Sequence, residues 1–208
     1  MMKYLVTGFE PFGQSKVNPS EQVVQALAGW QFADFEVATA VLPVHRSEGP
    51  QRLIAAVQQT QPAAVICLGE AGGRTAVSLE RVAINLLDFR IADNGGEVVQ
   101  DEPIIADGPA AYFTTLPVRT LQQAVAAAGI PAELSLSAGA FLCNQVTYEL
   151  LHFLTRQQWN IPAGFVHLPF LPEQAANLPQ KFPSMALDSM VTAVSTMLHT
   201  LHTQLRSD

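Results

Sequence analysis

The amino-acid sequence predicts an α/β protein. The expected architecture is one domain over residues 1–208, a three-layer α/β/α sandwich around a twisted, mostly parallel open sheet. Three observations predict it. Strand-like apolar runs alternate with helical patterns along the chain. Residues Ala63–Leu68 form an unbroken apolar run, as a central strand covered on both faces requires. Hydrophobic residues make up 49% and charged residues only 14%, against roughly 25% charge in an average domain. A chain so sparing with charge buries much of itself, in its own core or against sister subunits.

The elements follow in order. Lys3–Thr7 is a short apolar run ending at Gly8, a buried-strand signal. Asn18-Pro19-Ser20 opens a helix carrying Val23, Val24 and Leu27, with Gly29 as its stop. Phe35–Val44 is a strand closed by Pro43. Glu48–Gln61 is a helix with Leu53, Ile54 and Val57 on one face. After the central strand, Val77–Leu87 is apolar but interrupted by Glu80 and Arg81. Asp93-Asn94-Gly95-Gly96 marks a turn, with Val98–Ile105 as a hairpin arm. Val118–Ala128 is a helix stopped by Gly129, Glu133–Ser137 a strand, Cys143–Trp159 a helix and Gly164–Leu168 a last strand. A long helix follows from a cap at Ser184, its stripe running from Leu187 through Met190, Val194 and Met197 to Leu205. That stripe reads as core or subunit interface.

Charge and composition exclude several classes. The net charge of −7 argues against nucleic acid and anionic membrane surfaces, which need basic patches. No apolar run reaches the ~18 residues of a membrane span. Two cysteines make no disulfide framework, so a cytoplasmic protein with reduced thiols is expected. Gly69-Glu70-Ala71-Gly72-Gly73-Arg74 follows a strand but lacks both dinucleotide and Walker spacing.

In an open α/β sheet the site lies outside the carboxyl ends of the strands, and the chemistry-bearing residues gather there. Cys67 sits inside Val65-Ile66-Cys67-Leu68 and reads as a small core hydrophobe. Cys143 immediately precedes a helical pattern, which places its sulfur near a helix N-terminus. Free N–H groups and the dipole there are expected to lower a thiol pKa from ~8.5 toward neutrality and to receive an oxyanion. A thiol nucleophile needs a histidine. His152 is about 13 Å along the same helix at 1.5 Å per residue and is excluded. His199 and His202 read as solvated helix residues. His45 and His167 both follow or end strands, with His167 ranked first. Glu80 and Glu70 compete to orient the imidazole, with Glu80 ranked first. The bland reading of Glu80 is a salt bridge with a neighbouring arginine. A phosphorylase or nucleosidase on a similar sheet is the rival enzyme class, and would need a phosphate or ribose site.

Several motifs in one order then point to a family. They are Thr7-Gly8-Phe9-Glu10-Pro11-Phe12-Gly13, Asn18-Pro19-Ser20, Gly69–Arg74, Glu80-Arg81-Val82-Ala83-Ile84-Asn85, Arg90-Ile91 with Asp93-Asn94, Gly108–Tyr112, Ser137-Ala138-Gly139, Phe141-Leu142-Cys143-Asn144, and His167-Leu168-Pro169-Phe170 with Pro172-Glu173-Gln174. Over its length the chain resembles pyroglutamyl peptidase I, a family of cysteine peptidases. The resemblance implies removal of an amino-terminal pyroglutamyl residue through a thioacyl-enzyme by Glu80, Cys143 and His167. It implies that Arg90 and the Cys143 backbone N–H stabilise the oxyanion. It also implies that Phe9, Phe12, Glu70, Ile91, Phe141 and Leu142 contact the lactam. A homotetramer without metal or cofactor is implied as well. The family usually has Gln at position 70 and Pro at position 92, where this chain has Glu70 and Ala92. A catalytically impaired relative that binds pyroglutamyl peptides is therefore the alternative.

Overall fold

A computed structural model describes residues 1–32 and 34–207. Fourteen elements follow one another: β1 (Met2–Phe9), α1 (Pro19–Leu27), β2 (Phe35–Leu42), α2 (Glu48–Thr60), β3 (Ala64–Glu70), β4 (Val77–Glu80), β5 (Val82–Ile84), β6 (Ala111–Phe113), α3 (Val118–Ala127), β7 (Ala132–Ser135), α4 (Leu142–Arg156), β8 (Ala163–Leu168), α5 (Pro172–Ala176) and α6 (Leu187–Leu205). Six strands form the main sheet in the order β2-β1-β3-β8-β4-β7, and β5 pairs with β6 in a small second sheet. β2, β1, β3 and β8 are parallel to one another. β4 pairs antiparallel with β8 and parallel with β7, so these two run against the other four.

Alternation along the strands builds two cores. Tyr4, Val6, Ile66, Leu68, Val166 and Leu168 pack with α1, α3 and α6 on one face. Leu5, Val65, Cys67 and Phe165 pack with α2 and α4 on the other. The helix starts are set locally. Asn18 caps α1 by accepting the Ser20 N–H at 3.0 Å, and Pro19 occupies the first turn, where its missing N–H costs nothing. The Met-containing stripe of α6 is core: Met190, Val194, Met197, Leu198 and Leu201 are all buried.

Three expectations need correction. Ser184 does not cap α6. It bridges to Phe170, and Ala186 precedes the first turn without a side-chain cap. Val98–Ile105 forms no strand. It is tied down instead by the isolated Leu87–Glu102 bridge, the Phe89 N–H to the Val99 carbonyl, the Asn85 side chain on the Ile105 backbone and the Arg46–Glu102 ion pair. The Val77–Leu87 run, by contrast, breaks at Arg81 as its interruption by Glu80 and Arg81 suggests, and divides between two sheets. His202 is not a solvated residue. Its side chain is 12% exposed, with Nδ1 3.1 Å from the Tyr4 hydroxyl and its ring against Phe35. Among the described residues, no helix is long and apolar enough to cross a membrane.

Gly8 shows how tightly β1 meets α1. A Cβ there would lie 2.4 Å from the Ser20 carbonyl oxygen, a backbone atom that cannot swing aside. Gly8→Ala should destabilise the protein by about 2 kcal/mol, the usual scale of overpacking, read as a lower urea midpoint with an unchanged denaturant slope.

Candidate active site

Cys143 is the second residue of α4, whose start is uncapped by any side chain. Its first-turn N–H groups therefore have no side-chain capping oxygen. The neighbouring Asn144 fixes this helix end. It accepts the Ile84 N–H at 2.9 Å and donates to the carbonyls of Ile84 and Leu86 at 2.9 and 3.1 Å. The sulfur rests on the sheet over Gly69, because a Cβ on that residue would lie 2.9 Å from Sγ and 2.6 Å from the Phe165 ring. Gly69 is the register partner of His167 across β3 and β8. A residue without a side chain beside the histidine thus makes room for the nucleophile.

His167 and Glu80 leave the same face of the sheet as Phe165. The imidazole is buried, with Nδ1 2.7 Å from Glu80 Oε1. Arg74 donates Nη1 to the same oxygen at 2.8 Å and Nη2 to the Ser137 carbonyl at 3.2 Å. The salt bridge and the histidine contact of Glu80 therefore coexist. Burial works to raise the Glu80 pKa, but the His167 hydrogen bond and charge, Ser135 and Arg74 together hold it below the usual carboxylate range. An ionised Glu80 accepts, so Nδ1 carries the hydrogen and Nε2 is left as the basic nitrogen. Burial lowers the imidazole pKa and outweighs the opposing pull of Glu80, so His167 is neutral at pH 7.

The expected depression of the Cys143 pKa is overturned. Burial, then the charges of Glu80 and Glu70, push the thiol up to about 12, outweighing its own backbone N–H and Arg74. A helix N-terminus favours a thiolate only where desolvation does not win. Among the described residues, no hydrogen bond joins Sγ to the imidazole, and both line one cavity. Both shifts favour the neutral forms of the thiol and the imidazole. Cys67, also pushed up to about 12 by burial, lies deep in the core.

The large cavity, about 730 Å³, exposes Cys143, His167, Glu70, Phe12, Phe141, Arg90 and Ile91 together. A small apolar recess of about 20 Å³ lies behind it, lined by Phe9, Phe12, Glu70, Phe141, Leu142 and Cys143 among others. Phe12 and Phe141 stand between the two, ring centroids 6.3 Å apart. The recess has space for about one water molecule, so a five-membered ring fits only if these rings part. Glu10 braces this wall by accepting from the Val44 N–H at 3.0 Å and from Asn94 at 2.8 Å. Glu70 does not orient the histidine. Its Oε2 accepts from Gln174 at 2.6 Å, and burial raises its pKa against that bond.

All the predicted site residues thus converge except the alternative histidine. His45 lines neither cavity; its Nδ1 lies 3.1 Å from the Ser47 hydroxyl. His152 pairs with Tyr112 at 2.9 Å. Sequence reasoning missed Arg74, although it ends a quoted motif, because its partner is fixed only by the fold. It also missed the apolar wall of Phe170, Leu178 and Phe182, which the Pro169–Pro183 segment folds over the cavity.

Comparison with known proteins agrees with this geometry. The family model for pyroglutamyl peptidase matches residues 2–204. A pyrrolidone-carboxylate peptidase from Vibrio vulnificus is 46% identical over 200 residues, 96% of this chain and 92% of its own. One from Yersinia pestis is 43% identical over 194 residues, covering 93% and 90%. The solved pyrrolidone carboxyl peptidase from Thermococcus litoralis superposes with a TM-score of 0.96 at 38% identity, covering all of this chain and 96% of that one. A mutant of the Pyrococcus furiosus enzyme gives 0.95 at 39% identity, covering 98% and 100%. With a thiol, an imidazole and a carboxylate gathered at one cavity and this likeness running nearly end to end, the chain belongs to the pyroglutamyl peptidase family.

Proposed function

We propose that the protein removes an amino-terminal pyroglutamyl residue from peptides through a thioacyl-enzyme on Cys143, with His167 as base and Glu80 as its orienting partner. The observation that carries the assignment is the buried Glu80–His167 contact at 2.7 Å beside the cavity that holds Cys143. The phosphorylase alternative has no support of this kind.

The reaction follows from the charges. Cys143 begins as a thiol, so its proton leaves as the sulfur attacks the pyroglutamyl carbonyl, and His167 Nε2 receives it. Such contacts tighten when substrate is bound. Glu80 and the new imidazolium then form a buried ion pair. The Cys143 backbone N–H and the exposed Arg90 stabilise the oxyanion. His167 returns its proton to the leaving amine, and water hydrolyses the thioester. Phe9, Phe12, Phe141 and Leu142 suit a flat neutral ring that carries no ammonium, with Ile91 at the outer edge. Glu70, ionised or protonated, meets the lactam side of the site.

The assembly proposed is a homotetramer in the cytoplasm. Phe113 is 72% exposed and Ile84 37%, both on the small β5–β6 sheet. Apolar side chains so exposed favour a self-contact, and both cysteines are free.

Four outcomes test this reading. Cys143→Ser and His167→Ala should each lower turnover of a pyroglutamyl arylamide by about a thousandfold or more, with Cys67→Ser near the parent. Because His167 ionises below the usual imidazole value, kcat/KM should hold as pH falls to about 6.5 and decline only below it. The high thiol pKa predicts no loss of activity from thiol titration between pH 7 and 9. Sedimentation should give four copies, and Phe113→Asp should shift the species to a smaller one with its fold intact by circular dichroism.

A further inference from the structure

The proposed triad leaves one buried acceptor without a partner. Glu80 is 1% exposed, and its Oε1 receives both His167 and Arg74. Its Oε2 is buried and has no hydrogen-bond partner among the described residues. A buried carboxylate oxygen left unpaired is costly, and native structures seldom tolerate one.

One hydroxyl on the adjoining strand is held only by long bonds. Ser135 ends β7 and is the register partner of Glu80 in the parallel β4–β7 ladder, so both side chains leave the same face of the sheet. In this structure the Ser135 hydroxyl donates to the Ser137 carbonyl at 3.3 Å and accepts the Ser137 N–H at 3.3 Å, both long bonds. Rotation of the hydroxyl hydrogen toward Oε2 keeps the accepted bond. The Ser137 carbonyl is not orphaned, because Arg74 Nη2 still donates to it at 3.2 Å. The other groups around Glu80 are committed or cannot donate here. His167 of β8 and Arg74 hold Oε1, and Glu70 of β3 is a carboxylate bound to Gln174. Ser78 donates to Glu133 at 2.7 Å, and Cys143 of α4 gives its proton to the histidine.

We propose that Ser135 is a positioning residue, whose hydroxyl donates to Glu80 Oε2 and so holds the carboxylate, and through it the imidazole, in line for proton transfer with Cys143. This rests on the triad proposed above and adds a fourth member to it. With both oxygens held, the carboxylate cannot rotate about its last bond, and its charge is shared among three donors. Without Ser135 the charge concentrates on Oε1, and His167 keeps its proton to a higher pH.

The test compares Ser135→Thr with Ser135→Val, which differ only by a hydroxyl at equal shape. The Thr variant should stay within about twofold of the parent, and the Val variant should lose about tenfold in kcat at unchanged KM. The acid limb of kcat/KM should move up by about half a pH unit in the Val variant alone. The rate of Cys143 alkylation by iodoacetamide against pH, measured with Cys67→Ser in place, should show the same displacement without any turnover. A parent that cleaves no pyroglutamyl arylamide, with the alkylation limb still displaced in the Val variant, would sink the function and leave Ser135 standing. A Val variant equal to the Thr variant in kcat and in both pH profiles overturns the proposal. So does an equal loss in both variants with an unmoved limb.

Discussion

The buried contact between Glu80 and His167 is the constraint on which the site depends. It joins a carboxylate at the end of β4 to an imidazole near the end of β8, 87 residues apart in sequence, at 2.7 Å. Neither group tolerates such burial alone. The carboxylate stays ionised because His167, Ser135 and Arg74 offset its desolvation, and the imidazole is held in one tautomer by the carboxylate. A buried pair of this kind adds little net stability, yet it leaves one basic nitrogen facing the cavity. The antiparallel turn of β4 against β8 serves this contact, since it brings the end of a short strand back beside the histidine.

The nucleophile is placed by a second set of constraints. Asn144 ties the start of α4 to β5, and Gly69 removes the side chain that would occupy the sulfur's position. The consequence is a half-buried thiol pressed onto a sheet at the cavity wall, within reach of the charges of Glu80 and Glu70. Its raised pKa follows from that placement. It disfavours a preformed thiolate–imidazolium pair. The dipole argument for a thiolate was correct in sign and outweighed in size, because desolvation acts on the whole charge whereas a helix end supplies only about half of one.

Glu70 places a carboxylate where the wall meets both the sulfur and the lactam recess. Gln174 of α5 holds one of its oxygens, so the side chain is anchored rather than loose in the pocket. The same segment contributes Phe170, Leu178 and Phe182 to the outer cavity wall. A large apolar-walled cavity outside a small recess suits a substrate whose ring enters first and whose remaining chain lies outward.

The sequence by itself determined the α/β class and the strand–helix order, and it nominated the reactive groups. Periodicity is local: Leu53 and Val57 of α2, or Val65 and Cys67 against Ile66 and Leu68 of β3, declare their faces within a few residues. Motif order carried Glu80, Cys143 and His167 without coordinates. Tertiary structure showed why Glu80 rather than Glu70 meets the histidine: β3 and β4 both flank β8, and the register puts Glu80 on the face of His167 while Glu70 is the partner of Leu168. It also decided the direction of β4, the role of Arg74, the burial of His202 and the protonation of Cys143. All of these depend on distances between segments remote in sequence, and the free energy of a charge is set by what surrounds it in space.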